Sequence, residues 1–332
     1  MPALRQTPIA LALLALAVGG SGCASGDSAG ASLRLPSAKG VPRSATSHVV
    51  VVVLENRELS DVIANRAAPY LNSLARRGAL ATRYFAIDHP SLPNYLALTG
   101  GRTFGVTTDC TGCRVSGPNL VDQLTSAGAS WKVYMEDLPA PCSTVTSAGG
   151  YSLKHNPFLY YRGLRADPSR CRSVVPATEL GGDLRAGRLA DFSWISPNLC
   201  HDGHDCSLRT SDRFLRQLVP PLLAALGPHG FLAVLWDEGT SDAGCCRLAS
   251  GGRVPAILLG PDVRAGGRLA VRVDHYSALR TIEDAFGLAH LANAACACTA
   301  SLDGLFRTPP RGLPGRPPAH APARRPTGAR SR

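Results

Sequence analysis

Apolar runs punctuate the chain from residue 48 to residue 259. The first, Val49-Val50-Val51-Val52-Val53-Leu54, has no polar residue on either face. That is the pattern of a strand buried on both sides of a sheet. Residues 80–87, 131–135, 192–196, 231–236 and 254–259 read as further strands. Residues 60–77, 119–127, 211–226 and 277–287 carry helical spacing, with Pro69 as a break in the first. Strands alternating with helices predict an α/β sandwich around a mostly parallel sheet. The stretch 138–190 is rich in Cys, Pro and Gly and predicts long loops over that sheet.

The two ends follow other rules. Arg5 precedes the apolar run Ile9–Val18, which is signal-peptide length and well short of the ~20 residues that span a bilayer. Residues 1–23 therefore read as an export signal. Small residues lead directly into Cys23, which leaves two routes: a lipidated Cys23 holding the protein at a membrane, or cleavage nearby and free secretion. Residues 24–46 read as a Ser/Gly/Ala-rich linker. Residues 309–332 form a tail with six arginines and no acidic residue, and they predict disorder. The domain is then 47–308, about 260 residues, near the upper size for one core.

Charge changes the picture little. The ends carry +9 of the net +11, so the body keeps +2. This excludes the electrostatic footprint of a nucleic-acid-binding domain. A monomer is expected. Beyond Cys23 ten cysteines remain, an even number that suits disulfides in an oxidising compartment. Short loops suggest Cys110–Cys113, Cys142–Cys171 and Cys200–Cys206. The competing idea is a zinc site from Cys110, Cys113, Cys296 and Cys298.

Chemistry gathers where strands end, since open α/β sheets place their sites there. The valine strand runs into Glu55-Asn56, and 231–236 runs into Asp237-Glu238. Three carboxylates and an amide at one edge suggest a hard cation, because carboxylates packed together need their charge offset. Ser91 follows the second strand within His89-Pro90-Ser91-Leu92-Pro93-Asn94-Tyr95. Pro93 suits a first helical position, with Asn94–Thr99 starting the helix. A serine at such a helix start faces free N–H groups that favour an anion. A nearby cation would activate its hydroxyl. Lys154-His155, Asp202-Gly203-His204 and His275 add groups that bind phosphate or protonate a leaving oxygen. The sequence contains no Cys-x5-Arg loop and no Gly-x4-Gly-Lys-Ser/Thr.

Together these segments resemble the bacterial phosphoesterase family of the alkaline phosphatase superfamily, which holds phospholipases C and secreted acid phosphatases. The likeness runs through ENR at 55–57, APYLNSLA at 68–75, HPSLPNYLAL at 89–98, EDLPA at 136–140, KHNPF at 154–158, SPN at 196–198, DGHD at 202–205, WDEG at 236–239 and HYSALRTIEDAFGL at 275–288. It implies a three-layer sandwich with helices on both faces of the sheet. It also implies that Glu55, Asn56, Asp237, Glu238 and Ser91 Oγ hold one divalent metal ion of unstated identity. Ser91 would be the nucleophile, forming a phosphoserine. His155, His204 and His275 would be catalytic; Asn94, Lys154 and Asp202 would contact the phosphate-ester substrate. The set has fewer Asp and His ligands than dizinc members of the superfamily, so one metal rather than two is implied. Two rival readings remain at this point, a phospholipase C-type phosphodiesterase and a surface-binding lipoprotein.

Overall fold

The computed structural model describes residues 33–313. The expected signal segment, Cys23 and most of the basic tail lie outside the described residues. The strands are β1 (Val49–Leu54), β2 (Ala79–Ala81), β3 (Tyr84–Phe85), β4 (Trp131–Met135), β5 (Ser147–Ala148), β6 (Tyr151–Ser152), β7 (Val174–Pro176), β8 (Phe192–Ser196), β9 (Phe231–Trp236), β10 (Ala256–Leu259), β11 (Arg268–Leu269) and β12 (Val273–Asp274). The α-helices are α1 (Leu59–Val62), α2 (Pro69–Arg77), α3 (Ser91–Gly100), α4 (Leu120–Ser126), α5 (Arg162–Arg165), α6 (Pro168–Cys171), α7 (Leu180–Arg185), α8 (Leu208–Ala225) and α9 (His275–Phe286).

Eight strands form one sheet in the order β11-β2-β10-β9-β1-β8-β4-β7. β1 pairs in parallel with both β8 and β9, and only β10 runs against its neighbours. All six β1 residues are fully buried, as the unbroken apolar run predicts. Two helix groups, α2–α7–α8 and α3–α4–α9, pack among themselves and cover the sheet. No described helix is long and apolar enough to cross a membrane.

Several boundaries differ from the sequence reading. The expected strand at 80–87 is two pieces, because a turn at Thr82-Arg83 carries the chain out of the main sheet and into the β3–β12 pair. The helix expected at 60–77 is indeed divided, with Pro69 opening α2. Ser91, not Pro93, takes the first position of α3. Pro93 is tolerated two places on, where no helical N–H bond is yet required. The stretch 138–190 is more than loops, since it supplies the edge strand β7 and three short helices. Within the stretch read as a linker, Ala38–Gly40 forms a turn packed on α8, and Val41 is buried.

The cysteines pair as Cys110–Cys113, Cys142–Cys171, Cys200–Cys206, Cys245–Cys246 and Cys296–Cys298. The three pairs suggested by short loops are among them. With each sulfur so joined, Cys110, Cys113, Cys296 and Cys298 do not form a zinc site.

Candidate active site

Register brings the two acidic pairs together. β1 and β9 are aligned from Val49 opposite Phe231 to Leu54 opposite Trp236. The next residue on each strand is therefore Glu55 on one and Asp237 on the other. The Asp237 N–H still donates to the Leu54 carbonyl at 2.9 Å, so the pairing holds to the edge. Both carboxylates are fully buried.

Ser91 is also buried, at the start of α3. Its Oγ lies 2.7 Å from Glu55 Oε1 and 3.0 Å from Glu238 Oε1. The Lys154 ammonium donates to the same Oγ at 3.3 Å and to Glu55 Oε1 at 3.1 Å. A hydroxyl has one hydrogen, so Ser91 can donate to only one of its two carboxylates at a time. The other must carry a proton or face a cation.

The electrostatics divide the cluster. Burial alone would raise the pKa of Glu55, but the positive charges of His155, Lys154 and His204 bring it down to about 2. Burial pushes Asp237 well above the usual carboxylate range, and the charges of Glu55 and Glu238 push it further the same way. Glu238 is raised chiefly by burial, with His89 and Ser91 opposing. Asp237 Oδ1 accepts from the Glu238 N–H at 2.6 Å, whereas its buried Oδ2 has no partner among the described residues.

That orphan oxygen is a test of whether a cation fits. One donor atom from each of Glu55, His155 and Asp237 lies within 4.8 Å of the others. Hard oxygen donors, excess negative charge and an unsatisfied buried carboxylate oxygen all suit a divalent ion. The donor set fits.

The remaining expected residues take varied positions. His155 is buried between two acids, with Nε2 2.6 Å from Glu55 Oε2 and Nδ1 3.2 Å from Asp202 Oδ2. Its ring stacks on Tyr95 at 5.1 Å. Burial would lower its pKa, but the Glu55 and Asp202 carboxylates raise it to about 10. His204 sits at the mouth, partly exposed, with Nε2 3.8 Å from Glu55 Oε1. Asn56 adopts a left-handed backbone and turns its amide onto Glu55 Oε1 at 3.3 Å.

Three expectations change. Asn94 does not face a ligand: its carbonyl oxygen accepts from the Ile87 and Asp88 N–H groups, and its amide donates to the Asp88 and Pro90 carbonyls. Both of its amide hydrogens are taken up in holding 87–90. Asp202 lies buried, with Oδ2 3.2 Å from His155 Nδ1 and Oδ1 accepting from the His204 N–H at 2.8 Å, so its recorded partners are two histidines. His275 is fully buried, with Nε2 2.5 Å from the Asp237 carbonyl and Nδ1 2.8 Å from the Tyr84 hydroxyl. A carbonyl only accepts, so Nε2 carries the hydrogen and Nδ1 accepts from Tyr84. Burial holds the ring pKa down at about 4, and a neutral His275 steadies the Asp237 backbone.

Two residues join the site that sequence reasoning missed. His89 Nδ1 contacts Glu238 Oε2, and its Nε2 reaches the Ser241 carbonyl at 3.1 Å. Asp109 Oδ1 accepts from the Leu92 N–H at 2.9 Å, and its Oδ2 lies 3.4 Å from Lys154 Nζ. His89 opens the Ser91 segment, and that proximity was its only signal. Asp109 had none, because it lies in a loop outside every segment singled out.

Residues 61–289 match the model of the Phosphoesterase family. Ser91, Asp237 and Glu238 lie inside that span, and Glu55 and Asn56 just before it. The chain is 39% identical over 246 residues to the phosphatidylinositol-3-phosphatase of Mycobacterium tuberculosis, covering 73% of this chain and 77% of that protein. It is 28% identical to the probable acid phosphatase of Kluyveromyces lactis over 76% of this chain and 61% of that one. It thus spans about three-fifths of the fungal relative's length. Among solved structures, an alkaline phosphatase superfamily protein from Vibrio parahaemolyticus aligns with a TM-score of 0.51 at 12% identity, covering 82% of this chain and 74% of that one. That likeness bears on the fold alone, an α/β sandwich.

Proposed function

The chain belongs to the phosphoesterase family, and on that premise we propose that it is an exported, metal-dependent phosphomonoesterase working through a phosphoserine at Ser91. It is a phosphoric ester hydrolase; the proposal concerns how it acts and on what. One observation carries it: the buried Ser91 hydroxyl lies between Glu55 and Glu238, and Asp237, which brings a carboxylate oxygen within 4.8 Å of one of Glu55, keeps a buried oxygen without a partner among the described residues.

Glu55, Asp237 and Glu238 would hold one divalent cation, with Ser91 Oγ beside them, His155 at the margin and Asn56 steadying Glu55. When bound, that cation favours an ionised Ser91 hydroxyl and offsets charge gathering on the phosphoryl oxygens. Ser91 Oγ attacks phosphorus in line, and the Oγ–P bond forms as the bond to the leaving oxygen breaks. The hydroxyl proton passes to a neighbouring carboxylate, Glu238 Oε1 lying 3.0 Å from Oγ. Lys154, 3.3 Å from Oγ, stabilises the alkoxide and then the phosphoryl group. His204, at the mouth, protonates the leaving oxygen. Water then attacks the phosphoserine, releasing phosphate and restoring Ser91. Unaided phosphate monoester hydrolysis is so slow that these groups must lower the barrier by roughly 20 kcal/mol.

The substrates proposed are organic phosphate monoesters, phosphoinositides among them in view of the mycobacterial relative's description. Five disulfides support an exported protein. Attachment through a lipidated Cys23 and a monomeric state belong to the same reading. The test is turnover of p-nitrophenyl phosphate and of its bis-ester by the full chain, with and without chelator. Monoester hydrolysis that stops with chelator and returns with a divalent salt is expected. Chelator-resistant turnover, or a preference for the bis-ester, would refute the proposal.

A further inference from the structure

Leu92 follows the nucleophile at the second position of α3, so its N–H has no partner within the helix. Attack requires phosphorus within roughly 3–3.5 Å of Ser91 Oγ. Lys154 Nζ, 3.3 Å from that Oγ, borders the same space. These two donors are natural partners for a phosphoryl group. Both are already engaged by one side chain. Asp109 accepts from the Leu92 N–H through Oδ1 at 2.9 Å and faces Lys154 through Oδ2 at 3.4 Å. A carboxylate bridging two donors in this way imitates two oxygens of a phosphoryl group.

The loop carrying Asp109 is held through side chains. Among the described residues, no main-chain to main-chain hydrogen bond involves 107–114; the ladder resumes where the Val115 N–H donates to the Tyr160 carbonyl at 2.9 Å. The Cys110–Cys113 bridge ties the segment together and both cysteines pack against the core, while Asp109 itself stays partly exposed.

We propose that Asp109 is a specificity-determining residue: its carboxylate competes with the substrate's phosphoryl group for Leu92 N–H and Lys154, and so disfavours the more highly charged ligands. This rests on the Ser91 reading above. A monoester arrives as a dianion and a diester as a monoanion, so Asp109 penalises the monoester more. Inorganic phosphate, another dianion near neutral pH, meets the same penalty. Asp109→Asn keeps the shape and the acceptor for Leu92 N–H but removes the charge.

The experiment compares the full-length wild type with Asp109→Asn and Asp109→Ala. It reads the inhibition constant of inorganic phosphate and kcat/KM for p-nitrophenyl phosphate and its bis-ester. In Asp109→Asn the phosphate constant is expected to fall roughly tenfold, the order of one like-charge contact removed near a surface. The monoester-to-diester ratio is expected to rise by a similar factor, with a change of the same direction in Asp109→Ala. A residue that merely held α3 or Lys154 in place would instead weaken phosphate binding and lower both substrates alike. An unchanged or raised phosphate constant, or an unchanged ratio, overturns the proposal. Failure of the Ser91 reading looks different, since Ser91→Ala would then hydrolyse the monoester undiminished, whatever the Asp109 variants do.

Discussion

Glu55 and Asp237 leave adjacent parallel strands at the same level, both fully buried, yet the protein treats them in opposite ways. Around Glu55 stand Lys154, His155 and His204, whose charges hold its pKa near 2. Asp237 is less well compensated; burial and two neighbouring carboxylates raise it despite the opposing charge of His155, and Oδ2 lacks a partner among the described residues. The protein's own cations serve one half of the site. The other half is left for a charge from outside, which is where a metal ion would act. A buried ionic site is thus built asymmetrically, with a permanent counter-charge on one side and an exchangeable one on the other.

Breaking the exchangeable half should have the largest effect on chemistry. Asp237→Asn is expected to lower kcat on p-nitrophenyl phosphate on the order of a thousandfold, the size associated with losing a preorganised charge at the reacting centre. Metal content of the purified variant, measured by elemental analysis, should fall in parallel.

Breaking the permanent half should act on folding as well. Glu55→Gln leaves Lys154 and His155 charged and partly buried without their main counter-charge. Loss of one partner in a buried pair costs about 3–5 kcal/mol. Chemical denaturation of metal-free protein should show that loss for Glu55→Gln and none for Asp237→Asn, in which a neutral amide replaces a poorly compensated acid. Equal destabilisation by both would mean that the two halves are not different in kind.

A third buried carboxylate sharpens the contrast away from the site. Glu283 on α9 accepts from the Leu291 N–H at 2.8 Å, has an Oε2 without a partner among the described residues, and is pushed up to about 8 by burial. Its folded pKa lies above the ordinary value near 4.5. The folded state therefore binds the extra proton between those values, and stability falls as pH rises through that window. Glu283→Gln should remove this slope, stabilising the protein at pH 9 relative to wild type and changing it little at pH 4. Denaturant midpoints across pH measure it.

The sequence carried the framework because its signal was strong. An all-valine run and FLAVLW can hardly be anything but buried strands, and an acidic pair directly after each marks a site edge. The direction of β10 was not legible, since an apolar run looks the same whichever way it points. Asn94, Asp202 and His275 were misread for one reason: local sequence does not reveal which groups wrap around a side chain. Asn94 binds the backbone that folds back over it, and His275 is sealed between Tyr84 and the Asp237 carbonyl. His89 and Asp109 were missed because their partners, Glu238 and Lys154, are distant in the chain. Contacts of that range are set by topology.

The central claim is that Ser91 itself carries the phosphoryl group. Residues 84–102, released by cleavage after Arg83 and Arg102, contain Ser91 as their only serine. Metal-loaded enzyme mixed with excess p-nitrophenyl phosphate and quenched in acid within a turnover should yield that peptide with one added phosphoryl group, mapped by mass spectrometry to Ser91. Chelated enzyme and Ser91→Ala should yield none. Phosphate on another residue, or undiminished hydrolysis by Ser91→Ala, would contradict the account.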